Sequence, residues 1–145
     1  MAKEYYIEIG TRKRALRYTR AERVEIEQRF DCDIREFVYK KCFPLENGKL
    51  MPGGRLECQE ALIFYGLRHI KGKITEDFIA EELQAHVAAG GSIYKPLSEA
   101  IVGLVASGVM GYVPKLSEEE AEGKDEAMDG EKGLATVAPI RQMTG

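Results

Sequence analysis

The composition of the chain changes at Pro114, and this change limits how much of the sequence can build a folded core. All twelve Tyr and Phe side chains lie within the first 114 residues, whereas residues 115–145 are acidic, rich in glycine and free of aromatics. A segment of that kind buries too little apolar surface to offset the entropy lost on folding. We therefore predict one folded domain over residues 1–114 and a flexible acidic tail over residues 115–145.

The formal net charge of −3 hides an uneven distribution along the chain. Residues 1–73 carry 16 lysines and arginines against 11 aspartates and glutamates, a net charge of +5. A basic first half favours an acidic partner, either a nucleic acid or an acidic protein face. Because dedicated DNA-binding domains carry a much larger basic excess, we do not expect nucleic acid as the main partner.

The first eighteen residues predict an antiparallel β-hairpin. Residues 4–9 and 14–18 are rich in β-forming residues and alternate in polarity, and the glycine-containing stretch 10–13 separates them as a turn. Ile7 and Ile9 would share one face of the first strand. Because a lone hairpin is marginal in water, we expect this one to lie on an apolar surface or to pair with another chain.

Helix start and stop signals follow the hairpin. Thr19 and Glu22 have the spacing of a capping box for a helix that ends near Phe30. Asp33 caps a second helix, which ends before Pro44 and carries Ile34, Phe37 and Val38 on one apolar face. The turn-rich residues 44–55 predict a mobile excursion. Three more helices are expected, over residues 56–70, from Thr75 to the glycines at 90–91, and from Pro96 onward. The predicted fold class is thus α+β, mainly α, with an N-terminal hairpin and about five helices.

The last helix carries small residues at a regular spacing. Gly103, Ser107 and Gly111 are four residues apart, so another helix can approach closely along their ridge. Two placements stay open, because the ridge could face the protein's own core or a second copy of the chain. We predict self-association through this ridge or through the edge of the hairpin.

The sequence offers no converging set of catalytic or metal-binding residues. His69, His86 and the three cysteines match no recognised ligand spacing, and no CxxC pair is present. No apolar leader opens the chain, and the uncharged stretch 100–114 is too short to span a bilayer. We therefore predict a non-enzymatic protein of the cytoplasm without catalytic residues, cofactor, metal or membrane contact.

Residues 11–20 are the strongest candidate for a binding surface, since they contain five cations in ten positions. Arg12, Lys13, Arg14 and Arg17 would contact an acidic partner, and Tyr18 would stack on a base if that partner were a nucleic acid. A second explanation is that cations on the solvent face of a hairpin discourage edge-to-edge aggregation.

The order of elements resembles that of the tail assembly chaperones of long-tailed bacteriophages and gene transfer agents. The resemblance covers about 110 residues. It is carried by residues 18–27, by the apolar run 61–67, by the glycines at 90–91 and by residues 97–104.

This resemblance implies a protein that binds the tail tube protein and the tape measure protein before tail polymerisation and then leaves the tail. Its location would be the host cytoplasm and not the mature virion. Ile34, Phe37 and Val38 would cover an assembly surface of the partner while the basic hairpin guides docking. Two other functions stay open: a small nucleic-acid-associated regulator that uses the hairpin 11–20, and a structural subunit of the virion.

Overall fold

A computed structural model describes residues 4–112, so the predicted tail over residues 115–145 lies outside the described residues. Within them, 53% of residues are helical and 11% are in strands, which confirms the α+β, mainly α class. The strands are β1 (Tyr6–Ile9), β2 (Arg12–Ala15), β3 (Leu45–Glu46) and β4 (Lys49–Leu50). The α-helices are α1 (Arg20–Phe30), α2 (Ile34–Glu36), α3 (Leu56–Leu67), α4 (Glu76–Ala88) and α5 (Tyr94–Ala106), and a π-helix spans Phe37–Cys42.

The chain divides into two compact units. Among the described residues, the first unit contains 4–44 and 52–112, and the second contains 45–51. Residues 45–51, which the sequence analysis places in the one domain, therefore fall in the second unit.

The N-terminal hairpin is present, but its turn is shorter than expected. β1 pairs with β2 in an antiparallel register that joins Ile9 to Arg12, so the turn consists of Gly10 and Thr11 alone. Gly10 has a φ of +63° and Thr11 does not have a positive φ, which together are the mark of a type II′ turn. The expected turn over residues 10–13 is thus wrong, because Arg12 and Lys13 belong to β2.

Helix α1 begins and ends where its capping residues predict. The Thr19 backbone N–H donates to the Glu22 carboxylate over 2.6 Å, and the Thr19 side chain completes the capping box. Asp31 ends the helix in the left-handed region, with a φ of +55°. Asp33 then accepts a hydrogen bond from the Glu36 N–H at 2.9 Å and starts α2.

The helix predicted after Asp33 continues as a π-helix. Its last turn closes with the Phe43 N–H donating to the Val38 carbonyl, five residues back. Phe37, Val38 and Cys42 are all fully buried. The wider π-turn places the polar Lys40 outside while these three side chains remain in the core.

Helix α3 lies at the centre of the first unit, as its uninterrupted apolar run predicts. Leu62, Ile63 and Leu67 are fully buried, and α1, α4, α5 and the π-helix all contact this helix. Gly66 permits a close approach of Tyr18, since a Cβ atom there would come within 2.5 Å of the Tyr18 ring. No larger residue fits between Tyr18 and α3.

A buried glutamine joins the two ends of the excursion that follows the π-helix. The Gln59 side-chain amide donates to the Cys42 carbonyl at 2.8 Å and to the Gly53 carbonyl at 2.7 Å. The Arg55 N–H donates to the Lys41 carbonyl at 2.7 Å beside them. The chain therefore leaves and re-enters the core at one fixed point.

Helices α4 and α5 complete the first unit. The Thr75 side chain accepts from the Phe78 N–H, which confirms Thr75 as the cap of α4. α5 begins at Tyr94, two residues before the predicted start at Pro96. Proline is tolerated there because the first N–H groups of a helix have no partner within the helix.

The second unit contains a tight hairpin in its described residues. β3 and β4 pair antiparallel, with Leu45 opposite Leu50. Asn47 and Gly48 both have positive φ, at 53° and 78°, as a type I′ turn requires. The stretch 44–55 is thus not without structure, because its Asn-Gly turn builds two short strands.

Candidate functional site

Two side chains from the helices cover the outer edge of β1. The Glu8 N–H donates to the Glu99 carboxylate of α5 at 2.9 Å, and the Gly10 N–H donates to Nδ1 of His86 at 3.0 Å. Ile7 and Ile9 are buried beneath the same strand. The hairpin is therefore fixed to the helices through both its face and its β1 edge.

His86 joins three segments through its two ring nitrogens. Nδ1 accepts from Gly10, so Nε2 carries the proton and donates to the Ser92 carbonyl at 3.0 Å. Gly91 packs against the ring, where a Cβ atom would come within 2.5 Å of Nε2. Both ring nitrogens of His86 are thus engaged in hydrogen bonds that join parts of the fold.

Arg14 does not belong to a partner-binding surface. Its guanidinium makes two hydrogen bonds of 2.8 Å to the two carboxylate oxygens of Glu82 on α4. The two side chains are only 11% and 19% exposed. The hydrogen bonds that Arg14 donates to Glu82 raise the pKa of Arg14, so this cation is neutralised within the fold.

Tyr18 is likewise part of the core. The side chain is 5% exposed, and its hydroxyl donates to the Leu62 carbonyl of α3 at 2.7 Å. Burial raises the pKa of Tyr18 well above its ordinary value. The prediction that Tyr18 stacks on a base is therefore wrong for this conformation.

The apolar anchors predicted on the second helix are not on the surface. Ile34, Phe37 and Val38 are each 0% exposed and belong to the main hydrophobic core. Phe37 packs on Phe30 with ring centroids 4.8 Å apart. Their apolar face is satisfied by the protein's own interior, so they cannot cover a partner surface.

The predicted ridge of small residues is not continuous. α5 ends at Ala106, Ser107 is the residue that caps it, and Gly111 lies beyond it with a φ of +101°. Gly103 faces the N-terminal hairpin, since a Cβ atom there would lie 2.9 Å from Leu16 Cδ1. Of the two placements left open for Gly103, the structure supports the core.

Four cations of residues 11–20, the candidate binding surface predicted from the sequence, are exposed. Arg12, Lys13, Arg17 and Arg20, which we call the cationic strip, form no ion pair with any other residue in 4–112. Lys13 Nζ lies 5.4 Å from the centroid of the Tyr6 ring, on the solvent face of the hairpin. The strip is therefore available to an external acidic group.

Two arginines where helices meet behave differently. Arg68 binds Glu22 and Glu25, at 2.8 and 2.7 Å, and Arg29 binds Glu76 at 2.7 Å. These pairs join α1 to α3 and to α4 and leave little free charge. These two arginines are thus paired where helices meet, whereas the four members of the cationic strip have no ion-pair partner in residues 4–112.

Two shallow open grooves each contain one member of the cationic strip. Arg20 lines a groove between α1 and residues 107–109, and Arg12 lines a groove between the hairpin turn and α4. Arg23, in the first groove, donates to the Val109 carbonyl at 2.6 Å. Two members of the cationic strip therefore lie at the rims of grooves.

In the described part of the chain, the side chains that most often act in catalysis or metal binding are buried or do not cluster into a site. Burial raises the pKa of the Cys42 thiol well above its ordinary range, so it remains protonated and unreactive. Residues 4–112 contain no group of three or more His, Cys, Asp or Glu side chains arranged to hold a metal ion. None of the helices in the same range has the length and apolar character to span a membrane.

The sequence pattern does not identify the acceptors that bind the hairpin. Glu82, His86 and Glu99 lie 68 to 91 residues from the hairpin groups that they bind. A pattern of local spacing carries no signal for such distant pairs.

No protein-family model, curated protein or solved structure matches this chain.

Proposed function

We propose that this chain is a non-catalytic tail assembly chaperone of a long-tailed phage or gene transfer agent. It binds tail tube and tape measure proteins in the host cytoplasm before polymerisation and is absent from the mature virion. The observation that carries the proposal is the cationic strip, whose four side chains are exposed and have no ion-pair partner in residues 4–112. An acidic face on a tail protein supplies the missing counter-charge.

The position of the cationic strip suits a docking role. Arg12 and Lys13 lie on a hairpin whose backbone is fixed by Glu99 and His86. A surface that is already ordered loses less conformational entropy on binding than a flexible loop does. Several exposed positive charges also raise the rate of association with an acidic protein. This effect falls as the salt concentration rises, because salt screens the charges.

A nucleic acid is the second partner that the cationic strip fits. Exposed arginines neutralise phosphates as readily as carboxylates. The burial of Tyr18 and the pairing of Arg14 with Glu82 remove one stacking group and one cation from that interaction. We therefore place the acidic protein first and make nucleic acid an outcome of the test.

The test is co-expression with the tail tube protein encoded near this gene. The wild-type chain is expected to yield a soluble complex. The triple variant Arg12→Glu, Lys13→Glu, Arg17→Glu should slow complex formation at least tenfold at low salt, because it reverses three charges of the cationic strip. The matched control is Arg35→Glu, Lys71→Glu, Lys73→Glu, which makes the same change in net charge at other exposed positions.

Four results would overturn the proposal. The tube protein could polymerise equally well with and without this chain, or the two triple variants could behave alike. Recovery of the chain from purified particles would favour a structural subunit of the virion. Strip-dependent, salt-sensitive binding to a DNA duplex without binding to the tube protein would favour the nucleic-acid regulator.

A further inference from the structure

The two edges of the N-terminal hairpin differ in how their backbone groups are satisfied. The Leu16 N–H donates to the Tyr5 carbonyl, and hydrogen-bonded pairs alternate along an antiparallel ladder. With the observed register, the bonded pairs are therefore Ile7 with Arg14 and Ile9 with Arg12. The backbone of Lys13 and Ala15 must point away from β1, toward the outer edge of β2.

Part of this outer edge is already occupied. The Ala15 carbonyl accepts from Nε2 of His69 at 2.8 Å, and the Arg17 N–H donates to the Gly66 carbonyl at 2.9 Å. Three groups remain without a hydrogen-bond partner in residues 4–112: the N–H and carbonyl of Lys13 and the N–H of Ala15. Lys13 is exposed and Ala15 is half-buried, and both lie on this edge of β2.

We propose that an extended acidic segment of the partner protein adds to this edge of β2 as a third strand. This inference rests on the proposed function, because it takes the partner to be an acidic protein. One partner residue exchanges both hydrogen bonds with Lys13, and the carbonyl two residues earlier accepts from the Ala15 N–H. Edge addition of this kind provides affinity through the main chain and selectivity through alternate side chains.

The side chains next to the edge specify the chemistry of that segment. An added strand places the residue opposite Lys13 on the same face as the Lys13 side chain, where a carboxylate is favoured. In antiparallel pairing, the next residue lies opposite Arg12 and on the other face, beside that exposed guanidinium. The edge therefore selects two consecutive acidic residues in an extended conformation.

The structure also explains why the addition occurs at β2 and not at β1. The outward N–H groups of Glu8 and Gly10 already donate to Glu99 and His86. A strand added to β1 would have to displace both side chains. On β2 the three free groups require no displacement, and the charges of Arg12 and Lys13 attract the acidic segment.

The experiment uses the full chain and a capped peptide of sequence Thr-Val-Glu-Glu-Val-Thr, with binding followed by amide NMR. One variant peptide carries an N-methyl group on the first Glu, whose N–H would donate to the Lys13 carbonyl. The matched control carries it on the second Glu, whose N–H points away from β2. Methylation of the first Glu should weaken binding about tenfold, because one main-chain hydrogen bond and the close packing of the two strands are lost. The control peptide should bind within about twofold of the unmodified peptide.

Two observations on the protein accompany the peptide series. Saturating peptide should slow hydrogen exchange at the Lys13 and Ala15 amides. Lys13→Pro, which removes the edge N–H, should weaken binding more than Lys13→Gln, which removes the charge and keeps the N–H.

Equal binding of the two methylated peptides, or no binding of the unmodified peptide at millimolar concentration, would overturn the edge addition. If the cationic-strip triple variant still slowed formation of the tube-protein complex in that case, the proposed function would stand and the docking would be by side-chain charge alone. If the triple variant formed the complex as fast as its matched control, the proposed function would fail as well.

Discussion

The hairpin β1–β2 and the hairpin β3–β4 have the same local design and different surroundings. Each has a two-residue turn with glycine at positive φ. In the first, Ile7 and Ile9 are buried, and side chains from α5 and α4 bind the backbone of β1 and of the turn. In the second, all four strand residues are exposed. Turn chemistry thus produces a hairpin in both places, but burial makes one of them a structural part of the core.

The largest expected difference between the hairpins concerns their apolar side chains. Ile7→Ala should lower the free energy of unfolding by about 2–5 kcal/mol, because Ile7 is fully buried and a cavity remains. Leu50→Ala should lower it by less than about 0.5 kcal/mol, since Leu50 is 36% exposed. Urea denaturation of the two variants measures the difference. Equal losses would show that the two hairpins contribute alike to stability.

The contact between the N-terminal hairpin and α5 gives the next largest effect. Gly103→Leu places a side chain where even a Cβ atom lies 2.9 Å from Leu16, and it should cost about 1–3 kcal/mol of stability. Val102→Leu, on the exposed face of α5, is the control and should be nearly neutral in urea denaturation.

Sedimentation of the same variants also tests self-association, which stays a prediction. A Gly103→Leu variant of normal stability with weakened oligomers would make this residue part of an interface.

Arg14 and Arg12 differ by two positions and should differ in their effect on stability. Arg14→Gln leaves the partly buried Glu82 carboxylate without its two hydrogen bonds, which should cost about 1–3 kcal/mol. Arg12→Gln should change stability by less than about 0.5 kcal/mol and should affect partner binding instead. Thermal unfolding separates these outcomes, and a larger loss for Arg12→Gln would contradict the assignment of the free cations.

The smallest effect is a dependence on pH at the junction between the hairpin and α1. Burial raises the pKa of Glu22, but hydrogen bonds from Thr19 and Arg68 outweigh it and lower the pKa below 4.5. A carboxyl whose pKa is lowered by folding stabilises the protein above its unfolded-state pKa. This contribution, at most about 1 kcal/mol, is lost as pH falls through the folded pKa.

Glu22→Gln tests this dependence in urea titrations between neutral pH and pH 3. The stability difference from wild type should shrink as the pH falls below 4.5, the ordinary value for a glutamate. Glu46→Gln, in the second hairpin, is the control. A difference for Glu22→Gln that stays constant with pH would contradict the lowered pKa.

Local sequence signals predicted which helices and strands form, but they predicted less well what each of them packs against. Thr19, Asp33 and Thr75 cap helices as expected, because each cap depends on residues two or three positions away. The π-helix that follows α2 was not predicted, since the apolar spacing of Phe37, Val38 and Cys42 suits an α-helix equally well.

The candidate surface could be predicted only in part for a related reason. All the cations of residues 11–20 look alike in the sequence, but Arg14 meets Glu82 on α4 and Arg12 does not. Ile34, Phe37 and Val38 form an amphipathic stripe whether the protein's own core or a partner covers it. Only the packing of distant helices separates these cases, and no alternation or spacing within one segment encodes that packing.

The bonds from Gln59 to Cys42 and Gly53 have a practical consequence for engineering. Because these bonds fix the two ends of the excursion, residues 45–51 can be exchanged for a reporter peptide or an affinity tag without moving the points where the chain enters the core. The two ends of the grafted sequence would be held in place by the same hydrogen bonds. A probe inserted there could follow assembly in living cells while the cationic strip remains unaltered.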